Sequence, residues 1–282
     1  MSEAAHNGEA ATFSPTDEFE HAIEPIKVGG HELSIDLGIF HLNISRVVVY
    51  LWISAIIVFL ICWGIARIVK ILPSRKQVAF EGLYEYIRDN LVAAVMPREA
   101  VKAWFPYLLT LFLFILVNNL LGLVPLPFKM SHEYGFLPEF TAYAATSNIG
   151  VTLGLAILTF LLTHFMGMKH NGALGYFKNW TPGTAPGVLK PVLFLIHAVS
   201  EVFRLLSLSV RLFANLLAGH IMILVFYSLI FMLSTATLFL AALIEGGVLA
   251  ISAFEIFVAL IQAYIFAILS GVYIGGAIHQ EH

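Results

Sequence analysis

A chain of 282 residues that is 59% hydrophobic and only 12% charged falls far short of a soluble domain, where about a quarter of residues carry charge. The mean hydropathy of +0.87 agrees, and a net charge of −3 gives no reason to expect a nucleic-acid partner. The single cysteine, Cys62, excludes an internal disulfide or a cysteine-based metal site.

Long apolar runs without period-two alternation predict an all-α membrane protein rather than a β-barrel. Residues 1–46 hold eight acidic side chains and two basic ones, Lys27 and Arg46. They form an acidic N-terminal segment with no basic stretch leading into a short apolar run. Neither a cleaved signal peptide nor a transit peptide is expected. Residues 47–282 form one helical membrane domain. Its first span, 47–72, is long enough for a hydrocarbon core of about 30 Å, and Cys62 inside it is expected to be a small buried hydrophobe.

Residues 76–96 carry Phe80, Leu83, Tyr84, Ile87, Leu91 and Val95 on one helical face. Glu81, Glu85, Arg88 and Asp89 lie opposite. This predicts an amphipathic helix on the membrane surface, although a helix packed on a soluble partner would read alike. The second span is 104–124 and the third 143–168, joined by a polar loop with three prolines. A Gly/Pro-rich loop follows over 169–187. Two very long apolar segments, 189–232 and 237–278, come last. Forty-four helical residues reach about 66 Å, roughly twice the apolar thickness of a bilayer. No proline interrupts 192–278, so residues 189–278 are read as a hairpin of two long, strongly tilted helices.

Five crossings result, plus the surface helix. The loops rich in Arg67, Lys70, Arg75, Lys76, Arg88, Arg98 and Lys102, and in Lys169, Lys178 and Lys190, share one side. The excess of basic residues places that side in the cytoplasm. The N-terminus then lies outside and the C-terminus inside.

The last hairpin carries polar residues where lipid is expected, and intramembrane ionisable groups mark function or tight pairing. A turn near residue 236 sets Arg211 level with Gln262, and His220 within a turn of Glu255. Arg204, Ser207, Arg211, Ala214, Asn215 and Ala218 share one face of the first long helix, a stripe of small residues with a strong cation in it. His220 lies on the opposite face. Ser252, Glu255, Ala259, Gln262, Phe266 and Tyr273 share a stripe of the second, with Glu245 to one side. Two clusters are expected: Arg211 with Gln262 and Asn215, and His220 with Glu255 and Glu245. A His–carboxylate pair suits proton transfer. Arginine does not release its proton, so it attracts a carboxylate yet blocks proton flow. Such a relay, interrupted by a permanent cation, calls for a partner that carries protons around the block. The plainer readings are a structural Arg–Glu pair and a packing histidine. Asn118 and Asn119 read as interhelical hydrogen-bond contacts. His164 and His170 are badly spaced for a metal site, and no metal or cofactor is expected.

"LSLSVRLFANLLAGH" (206–220), "FEIFVALIQAYIFAILSGVYI" (254–274) and "NNLLGLVPLPF" (118–128) resemble the a subunits of F-type ATP synthases. The resemblance runs over about 100–278. It implies a non-catalytic stator subunit holding two offset proton half-channels against a rotating ring of c subunits, with subunit b and the rest of the F1Fo complex as further partners. Arg211 matches the arginine that faces the ring carboxylate, Gln262 and Asn215 its neighbours, and His220 with Glu255 the uptake pair. Glu201 resembles an acid of the release half-channel, while Arg204 matches a less constant basic position read as support. H⁺ is the expected ion and a bacterial plasma membrane the expected site. A stand-alone proton-coupled transporter is the alternative, but such proteins show repeated halves and broken midplane helices, which this sequence lacks. An intramembrane hydrolase would need a nucleophile–base or metal constellation, and none is found.

Overall fold

The computed structural model describes residues 27–28, 31–32, 34–36, 41–43, 45–68, 75–123, 144–181, 186–233 and 238–278. Within the acidic N-terminal segment, β1 (Lys27–Val28) pairs antiparallel with β2 (His31–Glu32), and β3 (Ser34–Asp36) with β4 (His41–Asn43). The rest is helical: α1 (Arg46–Ile68), α2 (Arg75–Tyr86), α3 (Arg98–Leu123), α4 (Ile149–Asn171), α5 (Ala173–Lys178), α6 (Lys190–Leu233) and α7 (Leu238–Ile278). Five of these are long and apolar enough to cross a membrane, the last two being helices of 44 and 41 residues.

The helix α7 is the hub, packing on α3, α4 and α6, while α4 also packs on α6. Leu108, Ile115, Leu212, Phe266 and Ile274 are fully buried where these helices meet. α1 leans on α3 at the edge of the bundle. This edge position overturns the expectation for Cys62, whose side chain is exposed on α1. Much of the described outer surface is apolar. Phe59, Phe165, Leu195, Phe203 and Phe254 are each more than half exposed, a surface suited to lipid rather than water.

The amphipathic stretch differs from a regular helix. α2 gives way at Ile87 to a π-helical turn, Ile87–Val92. A π-turn bonds residues five apart rather than four. Ile87 and Val92 therefore both reach the core, and Met96 follows them. Regular helical phase had put Leu91 there; its side chain lies outside the description. α3 starts six residues earlier than expected, and α4 starts at Ile149, after a 3₁₀ turn at Ala145–Ser147. The Gly/Pro-rich loop contains the short helix α5. Gly172, at φ +72°, breaks α4 and turns the chain into it.

Asn119 acts as an interhelical contact. Its amide donates to the carbonyl of Ala259 on α7 (3.4 Å), and its oxygen accepts from Thr146 (2.8 Å). Asn118 instead donates within its own helix, to Phe114.

Candidate functional site

α6 presents one outward face. Arg204, Ser207, Arg211, Ala214, Asn215 and Ala218 recur at helical spacing and are all exposed. Arg211 stands in the middle of that stripe with no hydrogen bond or ion pair to any described residue. The expected ties from Arg211 to Gln262 and Asn215 are therefore not made. The reason is geometric: Arg211 lies on an exposed face of α6, whereas Gln262 is only 2% exposed. Asn215, one turn on, reaches back instead. Its Nδ2 donates to Gln262 Oε1 at 2.8 Å, and Gln262 Nε2 is left buried without a partner among the described residues.

A second cluster lies further along the hairpin. Both carboxyl oxygens of Glu255 are buried and have no partner among the described residues. The carboxyl rests against Gly219, where a Cβ would overlap it. Glycine leaves room for the carboxyl in this position, and a larger residue would make it shift. The side chains of His220 and Glu245 lie outside the described residues, and so does the expected His220–Glu255 pair. The two observed contacts, Asn215 with Gln262 and Gly219 with Glu255, agree with the expected antiparallel register to within about a turn.

The third cluster sits nearer the start of α6. Glu201 is 8% exposed. Its Oε1 accepts from Arg204 Nη1 at 2.6 Å and lies 3.3 Å from His197 Nε2. Arg204 also lies over the Tyr273 ring, 5.6 Å from its centroid. Read as support in the sequence, Arg204 is thus an ion-pair and ring partner. His197 carried no expectation at all. Its signal was present, because residues four before and three after an acid share that acid's helical face. On the inner side of Glu201 is a cavity of about 10 Å³ lined by Thr159, Thr163, Arg204 and Tyr273.

His164 is enclosed by aromatic rings, with Phe160 at 4.0 Å, Tyr176 at 5.8 Å and Trp180 at 5.9 Å between centroids. No group of three metal-ligating side chains occurs among the described residues.

The geometry is thus an apolar bundle with three separate polar positions along one hairpin, one of them an exposed cation with no partner among the described residues. Residues 48–275 match the family described as ATP synthase A chain. The chain is 38% identical over 251 residues to the ATP synthase subunit a of Rubrobacter xylanophilus, covering 88% of this chain and 90% of that one. It is 37% identical to that of Gluconacetobacter diazotrophicus over 84% and 89% of the two chains. For that of Nitrobacter winogradskyi the figures are 34%, 92% and 96%. A bundle with five membrane-length helices and relatives of this kind make a bacterial membrane protein and a component of the rotary complex. The chain belongs to the ATP synthase A chain family, as the a subunit of the membrane sector.

Proposed function

We propose that this subunit conducts H⁺ through two offset half-channels and makes no bond itself. The observation that carries the reading is Arg211, exposed and unpaired among the described residues, within a stripe of small residues on an apolar helix. Small residues admit a second helix closely, and a cation there needs an anion to offset its cost in lipid. A ring of c subunits carrying carboxylates satisfies both demands. Arg211 attracts each deprotonated carboxylate as it passes, and a guanidinium, which is no proton donor in transfer chemistry, blocks direct proton flow. Asn215, held by Gln262, and Ser207 flank it on the same face.

Protons reach the ring by way of Glu255, with His220 and Glu245 as its companions on the uptake side. They leave by way of Glu201. The excess of basic residues in the loops places the N-terminal end of α6 in the cytoplasm, so release is cytoplasmic. The surface stretch beginning with α2 lies along the membrane, and subunit b packs beside the bundle.

The test is ATP-driven proton pumping in inverted vesicles carrying the assembled complex, wild type against Arg211→Ala. Loss of pumping with normal assembly is the expected result. Pumping that survives the substitution makes Arg211 structural and removes the half-channel reading.

A further inference from the structure

We infer that His197 and Glu201 form a proton-transfer pair, with His197 as the last protein group before cytoplasmic water; this rests on the half-channel reading above. Three observations carry it. First, the pair joins an inside to an outside: the Glu201 side chain is 10% exposed and that of His197 34%, with 3.3 Å between Nε2 and Oε1. Four residues separate them, so His197 lies about 6 Å nearer the helix start. Second, a cavity of about 10 Å³, about the room for a single water, is lined by Glu201 together with Thr159, Thr163 and Tyr273. Thr159 in turn lies within hydrogen-bond reach of Tyr107 and Ser270, both at 3.4 Å. Third, the imidazole is held in place. Its ring lies 4.8 Å from that of Trp180, tilted 36°, and Trp180 is itself stacked on Phe194 at 5.3 Å.

The chemistry follows from these contacts. A proton arriving on the Glu201 carboxyl passes to His197 Nε2. The carboxylate left behind keeps its hydrogen bond from Arg204. The imidazolium then releases a proton from Nδ1 to water, and exchange with water restores the starting tautomer. Nothing is consumed, and Arg204 takes no proton at any stage. The other groups gathered here are His164 on α4, Tyr176 on α5 and Tyr273 on α7.

The measurement is passive proton conductance through inverted vesicles that carry the assembled complex and are stripped of the soluble sector. In such vesicles the cytoplasmic side faces the bath. His197→Ala is expected to lower conductance by at least about tenfold, well inside the effect of a positioned proton-transfer group. Imidazole added to the bath is expected to restore it, which a packing defect would not permit. Wild-type conductance in His197→Ala overturns the proposal, as does a loss that imidazole leaves unchanged. Should the alanine variant fail to assemble, His197→Gln keeps a polar group beside Glu201 but carries no titratable proton. Full conductance there overturns the pair, and loss supports it. Arg211→Ala, measured alongside, separates the two levels. Retained pumping in that variant removes the half-channel reading and the pair with it. Lost pumping there, with intact conductance in His197→Ala, removes the pair alone.

Discussion

Glu255 and Gly219 show how one side chain's chemistry rests on another's size. The Glu255 carboxyl is buried with no hydrogen-bond partner among the described residues, and it fits there on α7 because Gly219 of α6 leaves a gap opposite. Gly219→Ala is expected to push the carboxyl aside. Because the carboxyl ends a flexible side chain, the cost lies at the low end for overpacking, about 1 kcal/mol. ATP synthesis in energised vesicles should fall by about twofold or more if half of that cost appears in the rate, with the complex still assembled. An unchanged rate would show that the Glu255 carboxyl has freedom to turn elsewhere. Glu255 and Gln262 were legible in the sequence because a hairpin with a known turn fixes which residues share a depth. The Arg211 contacts were not. Depth says nothing about which way a side chain faces, and Arg211 faces out while Gln262 faces in.

At the scale of elements, the five crossings followed from apolar length alone, since a bilayer demands it. The π-turn at Ile87–Val92 did not, because any periodicity argument assumes one helical pitch. Nor did α5. Its reason for existing is tertiary: Tyr176 is buried and packs edge-on against His164 and Trp180. Cys62 was misread for a related cause. An apolar span predicts lipid and core equally, and only the place of α1 at the edge decides between them. Asn119 tests how much the element contacts depend on polar groups. It ties α3 to α7 and to the 3₁₀ turn before α4. Asn119→Ala is expected to lower stability by about 0.6–1.7 kcal/mol, the range for interhelical hydrogen bonds in membranes. Denaturation of the complex in detergent would measure it. No shift in the midpoint would mean that packing alone holds α3 on α7.

For the whole molecule, the outward stripe of α6 separates folding from assembly. Ala214 is exposed in the subunit taken by itself. Ala214→Trp is therefore expected to leave the amount of this subunit in the membrane unchanged while blocking close approach of the ring, so that pumping is lost. Equal pumping in the two forms would place the ring on another face. The length of the hairpin has a consequence of its own. The 44 residues of α6 are about 66 Å long, and the hydrocarbon core is about 30 Å thick. The surplus has to be taken up sideways, so the helix is a ramp rather than a post. Any two positions at different heights on a ramp also stand at different points on the ground. Glu201, Arg211 and Gly219, strung along α6, are thereby spread in the plane of the membrane by the same slope that sets their depths. One tilted helix can thus hold an inlet and an outlet apart along the path of a moving partner, with no wall built between them.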